Sequence, residues 1–174
     1  MRRTTVTLAL LGCLLVAASP SAADTPIQLA LWDPVQLAPA SSSVSALRIS
    51  LLYGVNQDVS GIDAGLVTMT RGQQVGLQWG LVHTVQGSFT GWQMGAVNIV
   101  KGDFVGLQDG VVNLVDGRAH GLQWAFYNSA GQTEGLQLGI WNTTGSLDGL
   151  QIGLVNLIRS GKPRGFFPIV NWSF

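Results

Sequence analysis

The chain has 174 residues, a length that suits one folding unit, and its formal net charge is zero. Charged residues make up only 10% and no basic stripe appears, which removes the electrostatic footing that nucleic-acid binding needs. Apolar residues at 47% exclude a disordered chain, and the 23 glycines beside them point to tightly packed β structure.

Residues 1–23 read as a secretory signal peptide. Arg2 and Arg3 form its positive end, Val6 to Ala18 is apolar, and Ser21-Ala22-Ala23 offers small residues for cleavage before Asp24. The apolar run is too short for a spanning helix. The single cysteine, Cys13, lies within it in Leu10-Leu11-Gly12-Cys13, which loosely resembles a lipoprotein cleavage box. Lipidation of Cys13 is therefore the alternative to cleavage after Ala23. Cleavage after Ala23 leaves a chain without cysteine, held by packing and hydrogen bonds alone.

Residues 24–45 form a lead-in carrying Pro26, Pro34 and Pro39. Proline confines its short alternating pieces to edge strands, so an N-terminal cap is expected.

Residues 46–163 are a repeat array of eight units. The phrase reads GLQWGLVH from Gly76, GWQMGAVN from Gly91, GLQDGVVN from Gly106, GLQWAFYN from Gly121, GLQLGIWN from Gly135 and GLQIGLVN from Gly149. The starts are spaced 15, 15, 15, 14 and 14 residues, and weaker copies begin at Gly61 and Ala46. A fixed short period is the mark of a repeat architecture. Within a unit the second, fourth and sixth positions are mostly apolar, while the third and fifth are Gln and Gly. That alternation predicts a strand with one apolar face. A helix is disfavoured, because each recurring glycine costs about 1 kcal/mol against alanine. The shorter units lose their residue between the Asn and the next Gly, in YNSAG and WNTTG. A deletion tolerated there marks a corner, since one inside a strand would flip its faces. Residues 164–174 echo the repeat in Ile169-Val170-Asn171 and read as a C-terminal cap or closing strand.

Two all-β architectures fit this period. The first is a β-solenoid of 14–15-residue coils, with identical positions stacked at the strand spacing. Leu77, Trp92, Leu107, Leu122, Leu136 and Leu150 then form an internal apolar ladder, and Asn98, Asn113, Asn128, Asn142 and Asn156 a structural ladder at a corner. Gln78, Gln93, Gln108, Gln123, Gln137 and Gln151 form a column: either a flat hydrogen-bonding strip for a polymer or partner protein, or a device that only stabilises stacking. The second is an antiparallel meander closing into a small barrel, an outer-membrane pore or anchor. Lys101-Gly102 would then be a hairpin turn setting Ala96 against Leu107. Asp109, Trp79 and Trp124 in the middle of its lipid-facing row, and the short apolar band, count against it.

The six well-formed copies resemble the leptospiral-type bacterial surface repeats, whose signature is Gly-[Leu/Val]-Gln-x-Gly-Leu-x-Asn, over roughly Leu47 to Phe174. The resemblance implies an exported, surface- or envelope-associated protein and supplies no catalytic residues. Asp109, Ala125 and His83 depart from the pattern.

No chemistry stands out. His83 replaces the repeat Asn, which suits ladder filling, and His120 precedes Gly121 in a polar turn without metal-type neighbours. Most acids fall in turns; Asp109 alone would matter if it pointed inward. The expectation is a non-enzymatic protein at the cell surface, outer membrane or periplasm. It has no catalytic, cofactor or metal site, and its partner is an envelope polymer or surface protein rather than nucleic acid.

Overall fold

Period-two alternation interrupted by glycine at fixed intervals yields strands that bend at regular corners. The computed structural model describes residues 24–160 and 165–174, and the expected signal peptide with Cys13 lies outside the described residues. Among the described residues the strands are β1 (Thr25–Trp32), β2 (Val35–Gln36), β3 (Val44–Asn56), β4 (Val59–Thr70), β5 (Gln74–Val85), β6 (Phe89–Val100), β7 (Phe104–Trp124), β8 (Tyr127–Leu138), β9 (Trp141–Ile158) and β10 (Gly165–Ser173).

They form one sheet in the order β10-β9-β8-β7-β6-β5-β4-β3-β1-β2. From β1 to β9 neighbours run parallel, and equivalent repeat positions lie side by side: Trp92 beside Leu107, Gln93 beside Gln108, Asn98 beside Asn113. This is an all-β solenoid of about nine stacked coils. At the usual strand spacing the stack is on the order of 40 Å long. The closed barrel is excluded, because Leu107 pairs in parallel with Trp92 rather than antiparallel with Ala96, and β2 and β10 end the sheet without meeting. Only parallel, in-register stacking places each repeat side chain on its own copy.

Each coil has two walls. In the coil of β6 the first runs from Phe89 to Met94 and the second from Val97 to Val100. The pairing with β7 lapses between them, at Ala96. The chain folds back there, so that the Asn98 side chain donates to the Gly95 carbonyl at 3.3 Å. A Cβ on Gly95 would press into the Asn98 amide and the His83 ring, which favours glycine at this corner; Ala125 takes its place in one coil, where it is buried. The second corner, Lys101-Gly102-Asp103, leads to the next coil. The shorter units drop their residue at that second corner, where the register slips between Val115↔Ala130 and Arg118↔Gln132.

Phe89, Gln93, Asn98 and Val100 point inward and are buried, as are Phe104, Gln108, Asn113 and Val115 one coil on. Phe89 and Phe104 stack with ring centroids 5.6 Å apart. The expected internal apolar ladder is overturned: Leu77, Leu107, Leu122, Leu136 and Leu150 are half-buried on the outside, and Trp92 is exposed. The alternation is as read, but the faces are exchanged. A coil this short encloses a narrow gap, and two glycine positions beside a glutamine leave room for the asparagine of the facing wall. A row of leucine and tryptophan there would not fit.

The ends differ from the middle. The lead-in strand β1 extends the parallel stack, with Gln28 beside Arg48, and β2 then turns back antiparallel to β1. At the other end β10 lies antiparallel to β9 and carries Pro168 at a register shift, a residue suited to an edge strand.

The first glycine of each unit closes the coils along the axis. Gly106 has φ 129°, and a Cβ on it would run into the carbonyl oxygen of Gly91 in the preceding coil. Gly106→Ala should therefore lower the unfolding free energy by at least about 3 kcal/mol, combining backbone strain with overpacking. Urea titration followed by circular dichroism measures this, and a loss under about 1 kcal/mol would contradict so close an approach.

Candidate functional site

The inward face carries a polar axis. Each glutamine amide donates to the glutamine of the preceding coil: Gln93 to Gln78 at 2.6 Å, Gln108 to Gln93 and Gln123 to Gln108 at 2.8 Å, Gln137 to Gln123 and Gln151 to Gln137 at 2.7 Å. Asn171 of β10 continues the column with a 2.8 Å bond to Gln151. The six glutamines are buried, so they offer no exposed strip to a polymer or partner. Their amides satisfy one another instead, at a net gain of roughly 1 kcal/mol per bond.

The asparagine column runs beside it with the opposite polarity. Asn98 donates to Asn113, Asn113 to Asn128, Asn128 to Asn142 and Asn142 to Asn156, at 2.8–3.0 Å. The second hydrogen of each of these four amides goes to a backbone carbonyl of the next coil, for example Asn98 to Asp109 at 2.9 Å and Asn142 to Ile152 at 2.9 Å, while Asn156 at the end of the column donates to Gly153 of its own coil at 3.0 Å.

At the N-terminal end the glutamine column meets a buried ion pair. Arg48 donates through Nε to Asp63 Oδ1 at 2.7 Å and through Nη2 to Oδ2 at 2.6 Å, with both side chains wholly buried. Gln74 and Gln78 add bonds to Oδ2 at 2.9 and 2.8 Å. Burial alone would raise the Asp63 pKa; the Arg48 charge and these hydrogen bonds outweigh it and hold the carboxyl below its ordinary value. The sequence analysis did not find this pair. Its signal was present: Arg48 and Asp63 occupy the glutamine position of the two weakest repeats, with opposite charges in adjacent coils.

His83 stands in the asparagine column. The Thr68 hydroxyl lies 2.7 Å from Nδ1, and Nε2 lies 3.0 Å from the Met94 carbonyl. A carbonyl only accepts, so Nε2 carries the hydrogen and Nδ1 accepts from Thr68. The Asn98 Oδ1 next along the column lacks a protein donor, because His83 has given its hydrogen to the backbone. Burial depresses the His83 pKa, with Arg48 assisting, against the opposing pull of Asp63 and the Met94 carbonyl.

The outer surface is sorted by corner. At the first corner the sixth repeat position forms a ridge from Leu66 through Leu81, Val111, Phe126 and Ile140 to Leu154. All of these are exposed, Phe126 by 62% and Leu154 by 66%. Trp79 and Trp124 flank it on one side, Tyr127 and Trp141 on the other. The second corner carries the charges, including the exposed pairs Lys101–Asp116 and Arg118–Glu134, each at 3.0 Å. His120 is exposed on this side near Glu134. Asp109 points outward, half-exposed, and is the one charge set among the apolar rows of the coils between residues 44 and 160. Among the described residues no group of three His, Cys, Asp or Glu side chains is placed to hold a metal ion. Comparison with family models, curated proteins and solved structures finds no match for the chain.

Two predictions follow from the polar axis. Arg48→Gln leaves the Asp63 carboxylate buried without its countercharge and should cost at least about 3 kcal/mol. Arg48→Gln/Asp63→Gln restores the repeat glutamine in both coils and should recover most of that loss, as a double-mutant cycle in urea would measure. His83 makes the second. Its folded pKa is depressed, so its contribution is complete above the unfolded value near 6.5 and is lost as pH falls below it, by up to about 1.4 kcal/mol per pH unit. His83→Asn should flatten the fall in melting temperature from pH 6.5 towards the carboxylate range, and it supplies Asn98 Oδ1 with a donor. Asp63 acts lower, its stabilisation being lost as pH falls below the ordinary carboxyl value of 3.8. His120 is common to both proteins, so the difference between their melting profiles isolates His83.

Proposed function

We propose that the protein is an exported, non-enzymatic component of a bacterial envelope, working through a rigid apolar wall rather than through a catalytic pocket. The observation that carries this reading is the placement of side chains: amides and an ion pair share the inside with a Val and Phe cluster, while the tryptophans, most leucines, Val111 and Phe126 face outward. A water-soluble monomer seldom exposes contiguous apolar surface on this scale, so the wall is the surface with work to do. The leader at residues 1–23 supports export, and the resemblance to leptospiral-type surface repeats supports an envelope location. The buried glutamines take away the hydrogen-bonding strip that a polymer ligand would need. A hydrophobic partner suits the wall better.

Fractionation of the producing cell tests the reading. The expected result is protein in the envelope fraction, resistant to carbonate and released by detergent, with an N-terminal mass beginning at Asp24. An acylated Cys13 would keep the envelope location and move only the processing site. Unprocessed protein in the cytosol would overturn the proposal.

A further inference from the structure

Resting on that reading of the wall, we infer that the first corner of the coils is a bilayer-insertion edge. The solenoid lies along the membrane with the ridge from Leu66 to Leu154 among the acyl chains and the charged corner in water.

Four observations carry this. The first is shape. The apolar rows occupy the first wall, the corner and the start of the second wall: Leu107 and Leu122 on the first wall, the ridge, then Val97 and Val112 on the second, where Thr84, Ser129 and Thr143 interrupt the next row. A flat partner, such as a second copy of this chain, covers one wall and leaves the convex corner wet. A fluid acyl layer wraps the corner. The second is charge. Asp58, Arg71, Lys101, Asp103, Asp116, Arg118 and Arg159 all lie at the second corner, away from the ridge, and Glu134 and Asp148 stand just beyond it. Their signs are mixed, so adhesion to an anionic surface is not the driving force.

The third is the aromatic placement. Trp79, Trp124, Tyr127 and Trp141 stand one step back from the ridge on either side, where the headgroups would be if the ridge dips about 5–10 Å. The fourth is the backbone. A corner entering hydrocarbon must satisfy its own polar groups. Here the amide of Ile140 bonds to the Phe126 carbonyl at 3.1 Å, Trp141 to the same oxygen at 2.9 Å, and Val155 to the Ile140 carbonyl at 2.9 Å. A shallow apolar trough beside the ridge, walled by Ile49, Leu51, Leu66, Trp79 and Leu81, gives acyl chains a place to lie.

The test is flotation with vesicles of phosphatidylcholine, alone and mixed with phosphatidylglycerol. The protein carries Cys13→Ser, so that no acyl anchor or native thiol contributes. The expected result is equal binding to both vesicles at low and high salt. Phe126→Glu and Leu154→Glu should each weaken partitioning at least about tenfold, since each replaces an exposed apolar side chain with a charge. Asp109→Leu should strengthen it, and Lys101→Glu should leave it unchanged. These are surface positions, and circular dichroism of each variant checks that the strands persist.

A polarity-sensitive label read at Phe126→Cys should shift to the blue on adding vesicles, while one at Lys101→Cys should not. A protein that stays at the bottom of the gradient overturns the insertion edge. So does a sedimenting dimer whose Phe126→Cys label is already shielded without lipid, which would assign the ridge to a second copy. Either result leaves the envelope reading standing if fractionation supports it. Flotation by a protein found unprocessed in the cytosol would do the reverse.

Discussion

A carboxylate can only accept hydrogen bonds, and the Asp63 carboxylate sets the direction of everything stacked on it. Gln78 must turn its Nε2 towards Asp63 Oδ2, which leaves its Oε1 for the Nε2 of Gln93. The same orientation is then imposed coil by coil as far as Gln151 and Asn171. A column of glutamines alone could run either way, and two opposed runs would meet with oxygen facing oxygen in a buried site. Arg48 makes the arrangement tolerable by neutralising the anion from the opposite side through two parallel bonds. The ion pair thus contributes direction and register more than stability.

The asparagine column answers this polarity with its own. Glutamine donors face the N-terminal coils and asparagine donors face the C-terminal ones, so the two rows of amide dipoles oppose each other along the stack. Both columns change character in the same place. Gln78 donates to Thr68 at 2.9 Å, Thr68 to His83, and Gln78 also to Asp63, so one cluster terminates both ladders. Beyond it the interior holds Arg48, Ser50 and Gln28 beside Val44, Val55 and Asn56, and the Gln28 amide exchanges two bonds with the Ala38 backbone to close the end.

Much of this was legible in the sequence, and the parts that were not share a cause. The period gave the coil, and the deletions in YNSAG and WNTTG gave a corner that the register slip beside Gly131 reproduces. The alternation gave two faces but could not say which was inside. Hydropathy favours placing Leu107 and Leu136 inward, and that preference fails where a short coil has no volume for them. The discriminating signals were steric and electrostatic. Glycine at the fifth position makes room for a facing asparagine, as Gly95 does for Asn98. Arg48 and Asp63 in one column make sense as a pair only where the column is sequestered from water. His83 was readable as a ladder member from its position, but its missing donor to Asn98 depends on a tautomer that sequence does not carry.

The polar interior and the apolar exterior are consequences of the same geometry. Apolar packing inside centres on Val85, Phe89, Val100, Phe104 and Val115, with Val44, Val55, Val59, Leu147 and Ile158 buried towards the two ends. Hydrogen bonds along the axis carry an unusual share of the cohesion. Such bonds strengthen when water is kept from competing for their partners, because an amide bond is worth several times more in an apolar medium than its net value in water. In water the exterior rows favour self-association, as any apolar patch of this extent does. Against acyl chains the same rows lose that tendency, and the coils gain a dry surround for a backbone that is already bonded from coil to coil. A solenoid with its amides inside and most of its leucines outside is suited to the second environment, and under the proposed insertion the charged corner would keep its own edge in the first.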